Sequence, residues 1–220
     1  FSPYDVNAVA MNFGNNFRKI LNDYGIKVTG NVIVGKLSSS YREYIVMKSV
    51  PLKNLISVAN KYSSNSYAEQ ILRTVGLRVY GFGSIYNSQK VLNDFVKRLF
   101  GEYYPFKLND ACGLSTYNLL TPYMLAQTLV YAYKNYDGFN GFISTLATSG
   151  KEGTMEGRLK DITAYAKTGT LQKVSNIAGI MITKTGKRVA FCIMVNNFIT
   201  PTYIVTAYHD EIIRYIWNNY

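Results

Sequence analysis

The strongest constraint on the fold lies in the C-terminal third, where three runs rich in β-branched residues follow one another. They cover residues 163–171, 176–183 and 188–196, and short polar links separate them. Links of this length favour antiparallel neighbours, because parallel strands need a crossover of a dozen or more residues. The sequence therefore predicts a three-stranded antiparallel meander.

Helical patterns precede and follow this meander. Apolar spacing predicts helices that begin near Asn15, after Pro51 and at Thr121-Pro122, and others over residues 85–100 and 202–220. Helices in the middle of the chain, then an antiparallel sheet and a terminal helix, indicate an α+β domain.

Further local predictions concern residues 26–47 and the helix that begins near Ser66. Residues 26–34 alternate and are rich in β-branched side chains, which predicts a strand, and residues 44–47 are a candidate for a second short one. Ser66 and Glu69 have the spacing of a capping box, which predicts a helix start there, and Gly76 is the predicted end of that helix.

The tripeptide Lys-Thr-Gly occurs twice in the β-rich region. The second copy, residues 184–186, lies between two predicted strands, where Gly186 supplies the positive φ of a tight hairpin. The first copy, Lys167-Thr168-Gly169, lies inside a predicted strand. A glycine there weakens the strand and often marks the close approach of a ligand. A cation, a hydroxyl and an unobstructed backbone suit a substrate carboxylate, so the first copy is the candidate site and the second is structural.

The charge balance is basic, with 24 Lys and Arg against 13 Asp and Glu and a formal net charge of +11. Such a balance favours nucleic acid, an acidic lipid surface or an acidic polymer, and it also fits a merely basic soluble surface. The basic residues are scattered and no nucleic-acid motif occurs, so we expect no nucleic-acid partner. No run of about 18 apolar residues predicts a membrane-spanning helix, which leaves peripheral membrane association open.

Cysteine and histidine are too rare for several kinds of site. Cys112 and Cys192 cannot make a disulfide framework or a zinc site, and His209 alone excludes a multi-histidine metal site. The sequence predicts no metal and no cofactor. If the chain takes part in acyl transfer, lysine is the natural group to move the proton.

Two further segments accompany the first Lys-Thr-Gly copy. Ser63-x-Asn65 lies between two predicted helices, where a hydroxyl and an amide either cap a helix or point into a cleft. Residues 109–122 place a turn of small residues before a helix, and a glycine loop at residues 149–157 leads into the candidate strand.

Together these elements resemble the serine penicillin-binding proteins of the D-alanyl-D-alanine carboxypeptidase and endopeptidase type, low-molecular-mass class C. The resemblance covers roughly residues 15–220. It rests on four ordered elements, which read SSNSYAEQILRTVG, DACGLSTYN, AKTGTL and VNNF in this chain. It implies a β-lactamase/transpeptidase-like fold, in which an antiparallel sheet is joined by a helical subdomain.

The resemblance also implies roles for individual residues. Lys167 would attract the terminal carboxylate of the substrate, and the hydroxyls of Thr168 and Thr170 would donate hydrogen bonds to that carboxylate. Gly169 would leave the backbone of the strand unobstructed for the substrate. The N–H of Thr170 would form half of an oxyanion hole. Ser63 would relay a proton to the leaving amine. The remaining two residues of the implied site are Asn65, which would orient the substrate amide, and Gln172, which would contact the stem peptide.

One element of the family pattern is absent from these residues. The family's nucleophile is the serine of a Ser-x-x-Lys motif, and no serine here has lysine three residues later. The sequence is therefore expected to be the C-terminal part of a longer chain, with residues 1–14 left from an upstream segment and residues 15–220 in the domain. Cys112 and Thr116 also depart from the family's usual Ser and Arg.

Two functions remain open from the sequence. The resemblance implies a bacterial, extracytoplasmic enzyme that hydrolyses D-Ala-D-Ala peptides of peptidoglycan through an acyl-enzyme and is inhibited by β-lactams. The alternative is a non-catalytic relative that binds peptidoglycan peptides. A Ser-x-x-Lys motif elsewhere in the parent protein would separate them.

Overall fold

The structure is a computed structural model that describes residues 6–36, 38–42 and 45–220, with the backbone alone for Val6. It contains two compact units, Phe1–Ser49 and Val50–Tyr220. Within the described residues, no helix has the length and apolar character needed to cross a bilayer.

The first unit contains helix α1, Val6–Asp23. Gly25, at φ +81°, follows its end. The helix is continuous across residues 14 and 15, where the sequence placed a domain boundary. The predicted strand at residues 26–34 is wrong, because these residues are irregular. Of the candidate strand at residues 44–47, Tyr44 lies outside the described residues and the other three are irregular.

The second unit begins with a helical layer. Its helices are α2 (Leu52–Lys61), α3 (Asn65–Tyr80), α4 (Ile85–Phe100) and α5 (Pro122–Asn135). Pro51 precedes α2, and the side chain of Thr121 accepts the N–H of Met124 at the start of α5. Helix α4 has the predicted bounds, and α5 begins at the predicted Thr121-Pro122 step.

Helix α3 corrects two sequence predictions. It begins at Asn65 and not at the predicted capping box, because Glu69 bonds to a turn 42 residues later. It also continues through Gly76 and ends at Gly81, which has φ +75°. A Cβ at Gly76 would lie 3.1 Å from the backbone N of Ser88, so this glycine lets α3 and α4 pack closely.

The sheet is the predicted meander with one short addition. Strands β2 (Ala164–Leu171), β3 (Val174–Ile182) and β4 (Arg188–Asn196) are antiparallel neighbours in that order. A two-residue strand, β1 (Ala147–Thr148), pairs with the start of β2. Helix α6 (Thr202–Asn219) ends the chain.

The sheet lies between two apolar clusters. On one face, Ile213 of α6 packs with Ala164, Ala166 and neighbouring side chains of the strands. On the other face, Leu129 of α5 packs with Ile180 and with two residues of the segment that precedes β1, Ile143 and Leu146. The second unit is thus an α+β fold in which a central sheet separates α6 from the helical layer.

Candidate active site

The candidate strand β2 has a free edge along its Lys-Thr-Gly segment. Strand β1 pairs with β2 no further than Ala166, and the sheet order places no other described strand on that side. The C=O of Ala164 points to this side, because it accepts the N–H of Ser149 there. Amide groups alternate in direction along an antiparallel strand, so those of Thr168 and Thr170 also point to the free edge.

Lys167 lies beside this edge, on the sheet face that meets the helical layer. Tyr165, two residues earlier, packs into the cluster on that face, and side chains alternate along a strand. The half-buried ammonium of Lys167 donates hydrogen bonds to Ser63 Oγ and to the C=O of Thr168. Burial lowers its pKa below that of an ordinary lysine.

Ser63 occupies the junction between α2 and α3. It is half-buried and has φ +54°, a left-handed conformation that costs a non-glycine residue about 1–3 kcal/mol. Its Oγ accepts from Lys167, which leaves its own O–H free to donate. Asn65 is exposed at the start of α3.

Three contacts hold the last turn of α2 against the segment around β1. Lys61 Nζ lies 2.8 Å from Glu152 Oε1, and Asn60 Nδ2 donates to Thr145 Oγ1 at 2.8 Å. Gly153, at φ +58°, approaches the Lys61 carbonyl so closely that a Cβ would overlap it. Nothing in the sequence pattern distinguished these residues, since the contacts join segments about 85 residues apart.

The two Lys-Thr-Gly copies lie in the predicted kinds of structure, the first inside a strand and the second in a hairpin. Around Gly169 a Cβ would meet no heavy atom within 4 Å, and its φ is not left-handed, so the fold itself does not require glycine there. Gly186 has φ +83° and donates its N–H to the C=O of Thr183 in the hairpin between β3 and β4. In that second copy, Lys184 N–H donates to the C=O of Trp217, and Thr185 Oγ1 donates to the C=O of Tyr220. The second copy therefore forms a turn that also binds the end of α6.

The turn at residues 109–118 is held by two carboxylates. Asp110 accepts the backbone N–H groups of Gly113 and Ser115 at 2.8 and 2.6 Å. Glu69 of α3 accepts those of Ala111 and Cys112 at 2.8 and 3.0 Å. This arrangement places the turn within about one helical turn of Asn65, since Glu69 follows that residue by four positions.

At the same turn, three possible metal-ligand atoms all lie within 4.8 Å of one another. One atom comes from each of Glu69, Asp110 and Cys112. Both carboxylates already accept backbone hydrogen bonds. Burial raises the pKa of the Cys112 thiol, which disfavours the thiolate that a metal needs. These residues are therefore better explained as anchors of the turn.

The predicted site residues are not all close together. Ser63 and Lys167 are in direct contact, and Thr168, Gly169 and Thr170 continue along the same strand. Gln172 lies in the exposed turn after β2, about 16 Å along the strand from Lys167.

His209 takes no part in this site. It is 1% exposed on α6, on the sheet face opposite Lys167, and no described residue gives its Nε2 a hydrogen-bond partner. Burial, and secondarily Arg158, lowers its pKa. The titratable side chain that hydrogen-bonds to Ser63 is Lys167.

The chain is similar in sequence to known D-alanyl-D-alanine carboxypeptidases. The chain is 28% identical over 189 residues to the D-alanyl-D-alanine carboxypeptidase DacB of Haemophilus influenzae, across 82% of this chain and 39% of that protein. The chain therefore spans about two-fifths of the length of this curated relative.

Solved structures show the same fold. Penicillin-binding protein 4 of Haemophilus influenzae, in complex with a β-lactam, matches 99% of this chain and 53% of its own at a TM-score of 0.83 and 24% identity. The TLA-3 extended-spectrum β-lactamase matches 75% of this chain and 62% of its own chain, at a TM-score of 0.56 and 17% sequence identity. These likenesses confirm the predicted β-lactamase/transpeptidase-like fold.

The family comparison covers nearly the whole chain. The model of the D-Ala-D-Ala carboxypeptidase 3 (S13) family matches residues 3–210, which include both Lys-Thr-Gly copies and Ser63-x-Asn65. The chain belongs to the D-Ala-D-Ala carboxypeptidase 3 (S13) family.

Proposed function

We propose that the protein to which this chain belongs is a serine-type D-Ala-D-Ala carboxypeptidase or endopeptidase of bacterial peptidoglycan. In this proposal the chain supplies the carboxylate-binding strand and the proton relay. The observation that carries it is the contact between Lys167 and Ser63, which lies beside the free edge of the Lys-Thr-Gly strand.

The strand is suited to an extended peptide that ends in a carboxylate. The amide groups of Thr168 and Thr170 lie at the free edge, where a peptide can pair with them, and the exposed Gly169 leaves space above the strand. The Lys167 ammonium supplies the positive charge, with the hydroxyls of Thr168 and Thr170 as further donors. In the proposed reaction the Thr170 N–H stabilises the oxyanion, a role typically worth about 3 kcal/mol in the transition state.

Ser63 is suited to proton transfer. Its Oγ accepts a hydrogen bond from Lys167, so its own proton is free to pass to the leaving amine, and Lys167 can then replace it. The lowered pKa of Lys167 makes that replacement easier than it is for an ordinary lysine. Asn65, at the start of the next helix, would orient the substrate amide, and Gln172 would contact a distal part of the stem peptide.

The nucleophile is proposed to be the serine of a Ser-x-x-Lys segment outside these 220 residues. Attack on the carbonyl of the D-Ala-D-Ala bond would release the terminal D-alanine, and water would resolve the acyl-enzyme. β-Lactams would acylate the same serine. The relatives' carboxypeptidase names support action outside the cytoplasmic membrane, where peptidoglycan lies. The basic balance of the chain suits an anionic wall.

Labelling with a fluorescent penicillin, read by intact mass, tests the proposal. We expect one adduct on the native protein and none on the isolated 220-residue chain. Absence of an adduct on the native protein would instead favour the non-catalytic relative that binds peptidoglycan peptides. An adduct on the isolated chain would show that its nucleophile lies within these residues.

A further inference from the structure

Ser63 needs support from its surroundings, because it holds a strained conformation at the point where it meets Lys167. The residue has φ +54° and follows the last residue of α2, Lys61, by two positions. A strained residue keeps its geometry only when neighbouring contacts fix it. The contacts that do so are candidates for a functional role.

A continuous set of contacts links the backbone beside Ser63 to the backbone beside Lys167. Lys61 pairs with Glu152 at 2.8 Å, and Glu152 Oε1 accepts a hydrogen bond from Thr148 Oγ1 at 3.1 Å. Thr148 belongs to β1 and pairs with Tyr165, which precedes Lys167 by two residues. The chain of contacts therefore closes on the Ser63–Lys167 hydrogen bond itself.

The Lys61–Glu152 pair is better shielded than a typical surface pair. Its side chains are 17% and 34% exposed, against 42% and 59% for the pair formed by Lys97 of α4 and Glu102, which follows that helix. Exposed pairs are screened by water and hold geometry weakly, whereas a shielded pair with a second hydrogen bond restricts both partners. The hydrogen bond from Lys61 is the largest cause of the lowered pKa of Glu152, and the hydrogen bond from Thr148 also lowers it.

We propose that Lys61 and Glu152 are positioning residues that hold Ser63 against Lys167 for proton transfer. The proposal rests on the function proposed above for Ser63 and Lys167. Neither Lys61 nor Glu152 touches the substrate edge, so both act through the junction between α2 and α3. Their loss should slow the chemical step and leave the binding of the substrate carboxylate largely intact.

Charge reversal in the native, full-length protein tests this role. The variants are Lys61→Glu, Glu152→Lys and the double exchange, with Lys97→Glu as the matched control in an exposed pair. The measurements are the acylation rate with a fluorescent penicillin, kcat and KM for release of D-alanine from a D-Ala-D-Ala peptide, and the melting temperature. The neutral variants Lys61→Met and Glu152→Gln repeat the test if a reversed charge prevents folding.

We expect each single reversal to lower kcat and the acylation rate by about 10- to 100-fold with little change in KM, since a displacement of about 1 Å can cost about 100-fold. The double exchange should recover most of the loss, and Lys97→Glu should behave like the native protein. If penicillin acylates the native protein and the single variants react at the native rate, the positioning role is wrong while the proposed function stands. A loss of rate that the double exchange does not recover would have the same meaning. A native protein that no penicillin acylates would instead remove the proposed function and this role with it.

Discussion

Replacement of Lys167 by Met tests the carboxylate-binding role most directly, because Met has a similar length and no charge. The half-buried ammonium bonds to a serine hydroxyl and a carbonyl, which leaves its charge available to a substrate carboxylate. A hydrogen bond to a charged group contributes about 1.5–3 kcal/mol, and two charges 4 Å apart near a protein surface interact by about 4 kcal/mol. Since each 1.4 kcal/mol is about tenfold, kcat/KM should fall by about 10- to 1,000-fold.

The assay is cleavage of the D-Ala-D-Ala bond by the native full-length protein in two peptides. One has a free terminal carboxylate and releases D-alanine, and the other has a terminal amide and releases D-alaninamide. The native protein should prefer the carboxylate, and Lys167→Met should lose most of that preference. Lys184→Met, in the second Lys-Thr-Gly copy, is the matched control and should retain native kinetics, because Lys184 lies in an exposed turn. Equal loss of activity on both peptides in Lys167→Met would refute the carboxylate role.

The pKa of Lys167 adds a pH dependence to the same prediction. Burial lowers this pKa from 10.5, so the ammonium loses its charge at a lower pH than an exposed lysine. The preference for the carboxylate peptide should therefore decline as pH rises towards that pKa, and Lys167→Met should lack this decline. A preference that stays constant through alkaline pH would contradict the assignment.

Four further results are expected from variants away from the chemistry or at its edge. Gly169→Ala should leave the melting temperature nearly unchanged, because a Cβ meets nothing within 4 Å, yet lower peptide turnover by obstructing the strand. Gly186→Ala should lower the unfolding free energy by about 1–2 kcal/mol, because residue 186 has φ +83°, and should leave peptide turnover at the native rate. Asp110→Ala removes hydrogen bonds to two backbone N–H groups and should destabilise the fold by about 2 kcal/mol or more, measured by urea unfolding. Burial lowers the pKa of His209 from its ordinary value of 6.5, so this side chain resists protonation in the folded state. The unfolding free energy should therefore fall as pH drops below 6.5, and a His209→Leu variant should flatten that dependence.

The elements that sequence alone predicted well have local causes. The start of α5 is set by Thr121 and Pro122, and the bounds of α4 follow from an amphipathic pattern that ends at Gly101. The meander followed from β-branched runs and short links. In each case the determining residues are neighbours in the chain, so a local pattern carries the information.

The failures have non-local causes. Glu69 has capping-box spacing, but its carboxylate bonds to Ala111 and Cys112, which no local rule can anticipate. Gly76 resembles a helix end, but its absent side chain accommodates α4. Residues 26–34 have strand composition without forming a strand, and composition alone does not supply a pairing partner.

The candidate site divides in the same way. Its strand was recognisable, because Lys167-Thr168-Gly169 lies inside a β-rich run. The family resemblance implied that Lys167 and Ser63 belong to one site, but neither their hydrogen bond nor the Lys61–Glu152 contact was predicted from the sequence. Both contacts depend on how the helical layer packs on the sheet.

The separation of Ser63 and Lys167 along the chain has a consequence for folding. The strands of the meander contact their immediate neighbours in sequence, whereas the Ser63–Lys167 contact closes a loop of 104 residues. Contacts between near neighbours form quickly, and contacts across long loops must wait until the intervening chain is ordered. We therefore expect the hairpins to fold first and the Ser63–Lys167 pair to assemble last. Under mild heating the pair should also separate first, so that activity disappears while the sheet still protects its amide hydrogens from exchange.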